Sequence, residues 1–129
     1  MARAGTAFVA GALGLLASGA FTLPAHAQAT DGAKLFAQHC AACHQVAADA
    51  PQGMGPNLRG VIGRQAGQVK GFAYSAEFKK ALAKKTWTAE LMDKWLEEPQ
   101  NVAPGTYMMY KQADPAIRSA IIEYLSTAK

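Results

Sequence analysis

The sequence predicts an all-α single domain, about four helices joined by long loops, and three observations lead there. Four segments carry helix start signals followed by apolar residues at three- and four-residue spacing. No stretch beyond residue 27 alternates convincingly at the period of two that a half-buried strand needs. Between residues 46 and 74 glycine and proline are dense, with no sustained period of any kind, so an ordered loop is expected there.

The first 27 of 129 residues read as an address and not as fold. Arg3 supplies a short positive start, residues 7–21 (AFVAGALGLLASGAF) are apolar and uncharged, and Ala25-His26-Ala27 offers small residues around a cleavage point. A cleaved signal peptide at 1–27 and a mature domain at 28–129 are therefore expected. The competing reading is an uncleaved anchor, since a bilayer core takes about 20 apolar residues. Arg3 is the only Lys or Arg of the leader, so the mature part keeps 12 of the 13 basic residues against all 9 acidic ones, a net charge of +3. Its basic residues are scattered, with no arginine-rich run or aromatic platform, which argues against nucleic-acid binding. A domain this small buries a modest core, and a bound group would enlarge it.

The first helix is expected over residues 30–42, with Thr30 as N-cap, Asp31 in the first turn, and Leu35, Phe36 and Cys40 on one face. The 46–74 loop is long enough to need an object to wrap around. Ser75 is expected to cap a short helix to about Lys85. Thr88 is expected to cap another, in which Leu91, Met92, Trp95 and Leu96 share a face before Pro99 ends it. In the last helix Asp114 is the N-cap, Pro115 fits the first helical position, and Ile117, Ile121, Tyr124 and Leu125 recur on one side.

Only two cysteines occur, in the run Cys40-Ala41-Ala42-Cys43-His44, which is the haem c attachment pattern. Positions i, i+3 and i+4 share a helix face, so two thiols one turn apart can reach the two vinyl groups on one haem edge while His44 comes under the iron. The alanines between them leave room for the macrocycle. A structural zinc site would need a second ligand pair that the chain lacks. A thioredoxin-like pair would need a βαβ setting, and a disulfide explains the cysteines but not the histidine. The second axial ligand is sought in Pro104-Gly105-Thr106-Tyr107-Met108. A thioether is soft and neutral and raises the potential, which suits electron carriage. Chemistry alone leaves Met108 and Met109 as alternatives, and a loop methionine is often mere packing.

Taken as a set, Gly32-Ala33-Lys34-Leu35-Phe36, the attachment motif, Gly55-Pro56-Asn57-Leu58, Gly63-Arg64, Gly71-Phe72-Ala73-Tyr74, Trp87, Leu96-Glu97-Glu98-Pro99, Pro104-Gly105-Thr106-x-Met108 and Tyr124-Leu125 resemble class I cytochromes c. The nearest resemblance is to bacterial cytochrome c2 and mitochondrial cytochrome c, over essentially the whole mature chain. It implies the class I cytochrome c fold wrapped around one covalently attached haem c, with Met108 and not Met109 as the axial partner of His44. It also implies that the Pro56 carbonyl accepts from the other ring nitrogen of His44. Arg64, Tyr74, Trp87 and Thr106 occupy positions that bind or enclose the buried haem propionates, carboxylates that need donors when buried.

The implied function is that of an exported, periplasmic, monomeric electron carrier, not an enzyme, with no small-molecule substrate. Its donor would be a membrane-bound quinol:cytochrome c oxidoreductase and its acceptor a terminal oxidase or photosynthetic reaction centre, docked transiently. A haem enzyme or gas sensor, which needs an open sixth position, and a fixed subunit of a larger complex are the competing classes. The sequence departs from the family in three respects, and one lysine cluster remains to be placed. His39, Gly53, Gln100 and Tyr107 stand where mitochondrial relatives often carry lysines around the haem edge. Lys79, Lys80, Lys84 and Lys85 read as a solvated face. Trp95 stands where a tyrosine is common, so a phenol hydrogen bond to the ligand sulfur is absent. The segment 110–113 is short.

Overall fold

The computed structural model describes residues 25–129 together with Met1 and Gly5, and for residues 25–30 the backbone alone. The signal peptide expected at 1–27 therefore lies almost wholly outside the described residues. Five helices follow in order: α1 (Ala25–His39), α2 (Ala76–Leu82), α3 (Ala89–Glu97), α4 (Pro99–Val102) and α5 (Pro115–Thr127). Among the described residues there is no strand, only an isolated antiparallel bridge between Gln65 and Thr86.

Three of the expected caps form. Ser75 Oγ accepts from the Phe78 N–H at 3.0 Å, Thr88 Oγ1 from Leu91 at 3.1 Å, and Asp114 Oδ1 from Ala116 at 2.8 Å, satisfying amides that have no partner inside their helices. Four boundaries differ from expectation. Helix α1 starts at Ala25, so Thr30 is interior and not the cap; the alanine-rich run after Pro24 has no breaker. The same helix ends at His39, and residues 40–43 continue as a turn. Helix α2 stops at Leu82 and not near Lys85, because the following residues are drawn to the loop: Ala66 donates to the Lys85 carbonyl at 2.8 Å. Pro99 ends α3 but also starts α4, where its fixed φ suits a first helical position and the Glu98 carboxylate accepts from the Gln100 amide at 3.4 Å.

Helices α1 and α5 pack across each other through Gly32. A methyl there would collide with the Ala120 carbonyl and come within 2.8 Å of Tyr124 Cβ, so only glycine admits this close approach. Phe36 and Tyr124 pack beside the crossing with their rings tilted at 49° and centroids 5.4 Å apart. Helix α3 joins them through a group the sequence reading did not single out. Arg118, 6% exposed, donates from Nε to Asp93 at 2.7 Å and from Nη1 to the carbonyls of Gln112 and Ala113, both at 3.0 Å. A buried guanidinium is tolerated only when its donors are met in this way.

The long loop is held by its backbone. Gly63 donates to the Trp87 carbonyl at 2.7 Å and Trp87 back to Arg64 at 2.9 Å, while Leu58 donates to Gln45 at 2.8 Å and Gly60 to Ala128 at 2.6 Å. The loop thus lies against both the segment before α3 and the end of α5. Phe36, Val61, Phe78, Leu82, Trp87, Trp95, Ile121 and Leu125 are among the buried residues of the core.

Candidate haem site

One cavity of about 400 Å³ opens inside this framework, within the range of about 300–1,000 Å³ usual for small-molecule sites. Its lining is mostly apolar and includes Cys40, Cys43, His44, Arg64, Tyr74, Trp87, Thr106 and Met108. Arg64 is the only Lys, Arg, Asp or Glu in that lining.

The turn after α1 sets the cysteine wall. Cys43 donates to the Cys40 carbonyl at 3.1 Å and His44 to the same oxygen at 2.9 Å, so the three residues keep one-turn spacing although the α-helix has ended. Cys40 and Cys43 are not joined to each other in a disulfide. Burial, with the neighbouring Cys43 charge second, pushes the Cys40 thiol up to about 11. Among the described residues no group of three or more His, Cys, Asp or Glu side chains converges as a metal site.

His44 is tightly seated. Its Nδ1 lies 2.8 Å from the Pro56 carbonyl, and since a carbonyl only accepts, that nitrogen carries the proton and Nε2 keeps its lone pair. Burial lowers the imidazole's pKa and favours this neutral form. Gly55 lies against the ring so closely that a Cβ there would fall 2.5 Å from Nδ1 and 2.7 Å from Nε2.

The methionine wall is built by a turn. Thr106 donates to the Ala103 carbonyl at 3.0 Å, with Pro104 and Gly105 between, and Gly105 has φ +91°, the signature of a type II turn. Met108 is half-buried, whereas Met109 is 76% exposed although it also borders the cavity. The Trp95 indole donates to Met108 Sδ at 3.2 Å. The phenol donor expected to be missing at residue 95 is thus replaced by an N–H, a contact that only the assembled fold reveals. Trp95 is 6% exposed and held edge-on by Phe78 and Trp87, with centroids 5.5 and 5.6 Å away.

The polar wall is the one implied for propionates. Arg64 is anchored by donation to the carbonyls of Arg59 at 2.8 Å and Asn57 at 3.1 Å, and burial lowers its pKa. Tyr74 stacks on Phe78 at 4.8 Å, its hydroxyl accepts from the Val69 amide at 3.3 Å, and burial raises its pKa. Trp87 and Thr106 are both 6% exposed. The structure brings together all nine residues singled out from the sequence, Pro56 included. Two thiols at this spacing, a basic imidazole nitrogen, a thioether and an apolar enclosure with one guanidinium form a donor set that fits haem c.

A family model described as cytochrome c matches residues 29–129. The chain belongs to the cytochrome c family. It is 40% identical over 98 residues to cytochrome c-550 of Ancylobacter novellus, covering 74% of this chain and 91% of that one. It is 40% identical over 101 residues to cytochrome c2 of Rhodopila globiformis, covering 77% and 92%, and 38% identical over 102 residues to cytochrome c of Kluyveromyces lactis, covering 75% and 87%. As a cytochrome c it carries one covalently attached haem c, with Cys40 and Cys43 in the attachment positions. It is an electron-transfer protein and not an enzyme.

Proposed function

We propose that this cytochrome c is a soluble, monomeric, periplasmic carrier, released from its leader after Ala27, with His44 and Met108 as the axial ligands of its haem iron. The observation that carries the reading is that both side chains are oriented by dedicated partners within one cavity: His44 by Pro56 and Met108 by Trp95. When bound, the haem supplies a one-electron ferrous–ferric couple. The chain's own part is to hold both ligands without rearrangement. The Pro56 carbonyl fixes the imidazole tautomer and raises the basicity of Nε2, and the apolar lining keeps water out. With both axial positions supplied by the chain, no coordination site is left for a substrate.

The donor is a membrane-bound quinol:cytochrome c oxidoreductase and the acceptor a terminal oxidase or photosynthetic reaction centre. Names such as cytochrome c2 among the relatives support this reading. Among the described residues no helix is long and apolar enough to cross a membrane. The cavity mouth carries Met54, Tyr107 and Met109, 81%, 75% and 76% exposed, while none of Lys79, Lys80, Lys84 and Lys85 lines it. Contact with these redox complexes is therefore short-lived and weakly dependent on ionic strength.

The optical spectrum of the purified holoprotein tests the ligand set. The weak far-red charge-transfer band of methionine-ligated ferric haem should be present, lost in Met108→Ala and retained in Met109→Ala. A wild-type protein without that band that binds carbon monoxide freely when reduced has an open sixth position and is a sensor or enzyme.

A further inference from the structure

Met108 and Met109 are adjacent thioethers, and both border the cavity. Something must decide which one turns inward. The side chain that meets this loop most often is Gln100, which the function described so far does not use. Its Oε1 accepts from the Gly105 amide at 2.9 Å. Its Nε2 lies 3.0 Å from the Thr106 carbonyl, 3.4 Å from the Met108 carbonyl and 3.5 Å from Met109 Sδ. The orientation of the amide is forced by its neighbours: the partner at one end is a backbone N–H, and the partners at the other are acceptors.

The base from which Gln100 reaches is itself fixed. It follows Pro99, one of the most completely buried side chains, and its own amide donates to Glu98 at 3.4 Å. The other carboxylate oxygen of Glu98 accepts from Lys111 at 2.7 Å, beyond the methionines. Two side chains of one short turn, Glu98 and Gln100 with Pro99 between them, therefore grip the 105–111 segment on both sides of Met108. Backbone contacts at 105, 106 and 108 set the register of the loop, and the fourth contact engages the sulfur of the exposed Met109.

We propose that Gln100 is a positioning residue that sets this register, directing Met108 into the cavity and holding Met109 at the surface. The proposal rests on Met108 being the axial ligand. Two of the contacts are at 3.0 Å or less. A neutral hydrogen bond shifts an equilibrium by about fivefold, so losing these two partly hydrated contacts should shift methionine release by about tenfold.

The test uses ferric holoprotein titrated with imidazole, which competes with the methionine for iron. Gln100→Ala should bind imidazole about tenfold more tightly than wild type. Gln100→Glu, which keeps the acceptor for Gly105 but faces the two carbonyls with a carboxylate, should do the same. In a Met108→Ala background, adding Gln100→Ala should restore part of the far-red band as Met109 gains access. Imidazole affinity within twofold of wild type in both single variants, or a band that stays absent in the double variant, overturns the proposal. If Met108→Ala alone leaves the band intact, the ligand assignment itself fails, which is a different result from either of these.

Discussion

Replacing Gly55 by alanine asks whether the imidazole is seated as described. The added methyl would lie 2.5 Å from His44 Nδ1 and 2.7 Å from Nε2, with Cε1 closer still. Either the 53–56 backbone retreats or the ring swings away from Pro56. Forcing one carbon into a filled site costs about 1–3 kcal/mol. Losing the 2.8 Å bond from Nδ1 adds about 0.5–1.5 kcal/mol. The expected loss is thus about 2–4 kcal/mol, or a melting point lowered by roughly 10–25 °C for a domain of this size. Thermal unfolding of the holoprotein followed by circular dichroism measures it, and the ferric spectrum reports whether the ring has moved. A loss below about 0.5 kcal/mol with an unchanged spectrum would refute the reasoning, because the Gly55 backbone would then not be what the imidazole rests on.

Two other outcomes are expected. Trp95→Phe keeps an aromatic ring beside Phe78 and Trp87 but removes the donor to Met108 Sδ, leaving the sulfur a better electron donor to ferric iron. A sulfur is a weak acceptor, so about 0.5–1 kcal/mol is at stake, and redox titration should show the potential lower by about 20–40 mV; an unchanged or raised potential contradicts the contact. Hydrogen bonding from Lys111 holds the Glu98 carboxyl below its ordinary value of 4.5, so its contribution is fully present above that pH and fades as pH falls through the lowered folded-state value. The difference in melting point between wild type and Glu98→Gln should accordingly be constant from pH 7 to about 5 and shrink below the ordinary carboxylate range, and a difference that grows with acid would reverse the sign.

The parts of this fold written in local chemistry were legible from the sequence. Ser75, Thr88 and Asp114-Pro115 announce helices because a cap acts within three residues of itself. The attachment motif and the Pro-Gly turn before Met108 are equally local. What escaped depends on distance in space. Nothing in the neighbourhood of Trp95 says that its N–H meets a sulfur 13 residues away, and Gln100 reads as an ordinary polar residue until the 103–106 turn folds the loop back over it. Arg118 was hidden in the same way, since its partner Asp93 is 25 residues distant. The early stop of α2 had the same origin, a competing pairing between residues 65–66 and 85–86.

The crossing of α1 and α5 constrains the order in which the protein can be made. The helix that delivers Cys40 packs against the thirteen-residue α5, some 75 residues further along the chain, and Gly60 is tied to Ala128 just after it. Contacts between elements so far apart in the chain form late, because the loop between them must close first. A chain emerging N-terminus first cannot close the crossing until α5 has been made. Ile121 and Leu125 line the same cavity as Cys40 and Cys43, so until α5 packs, the place where the prosthetic group attaches lacks one of its walls.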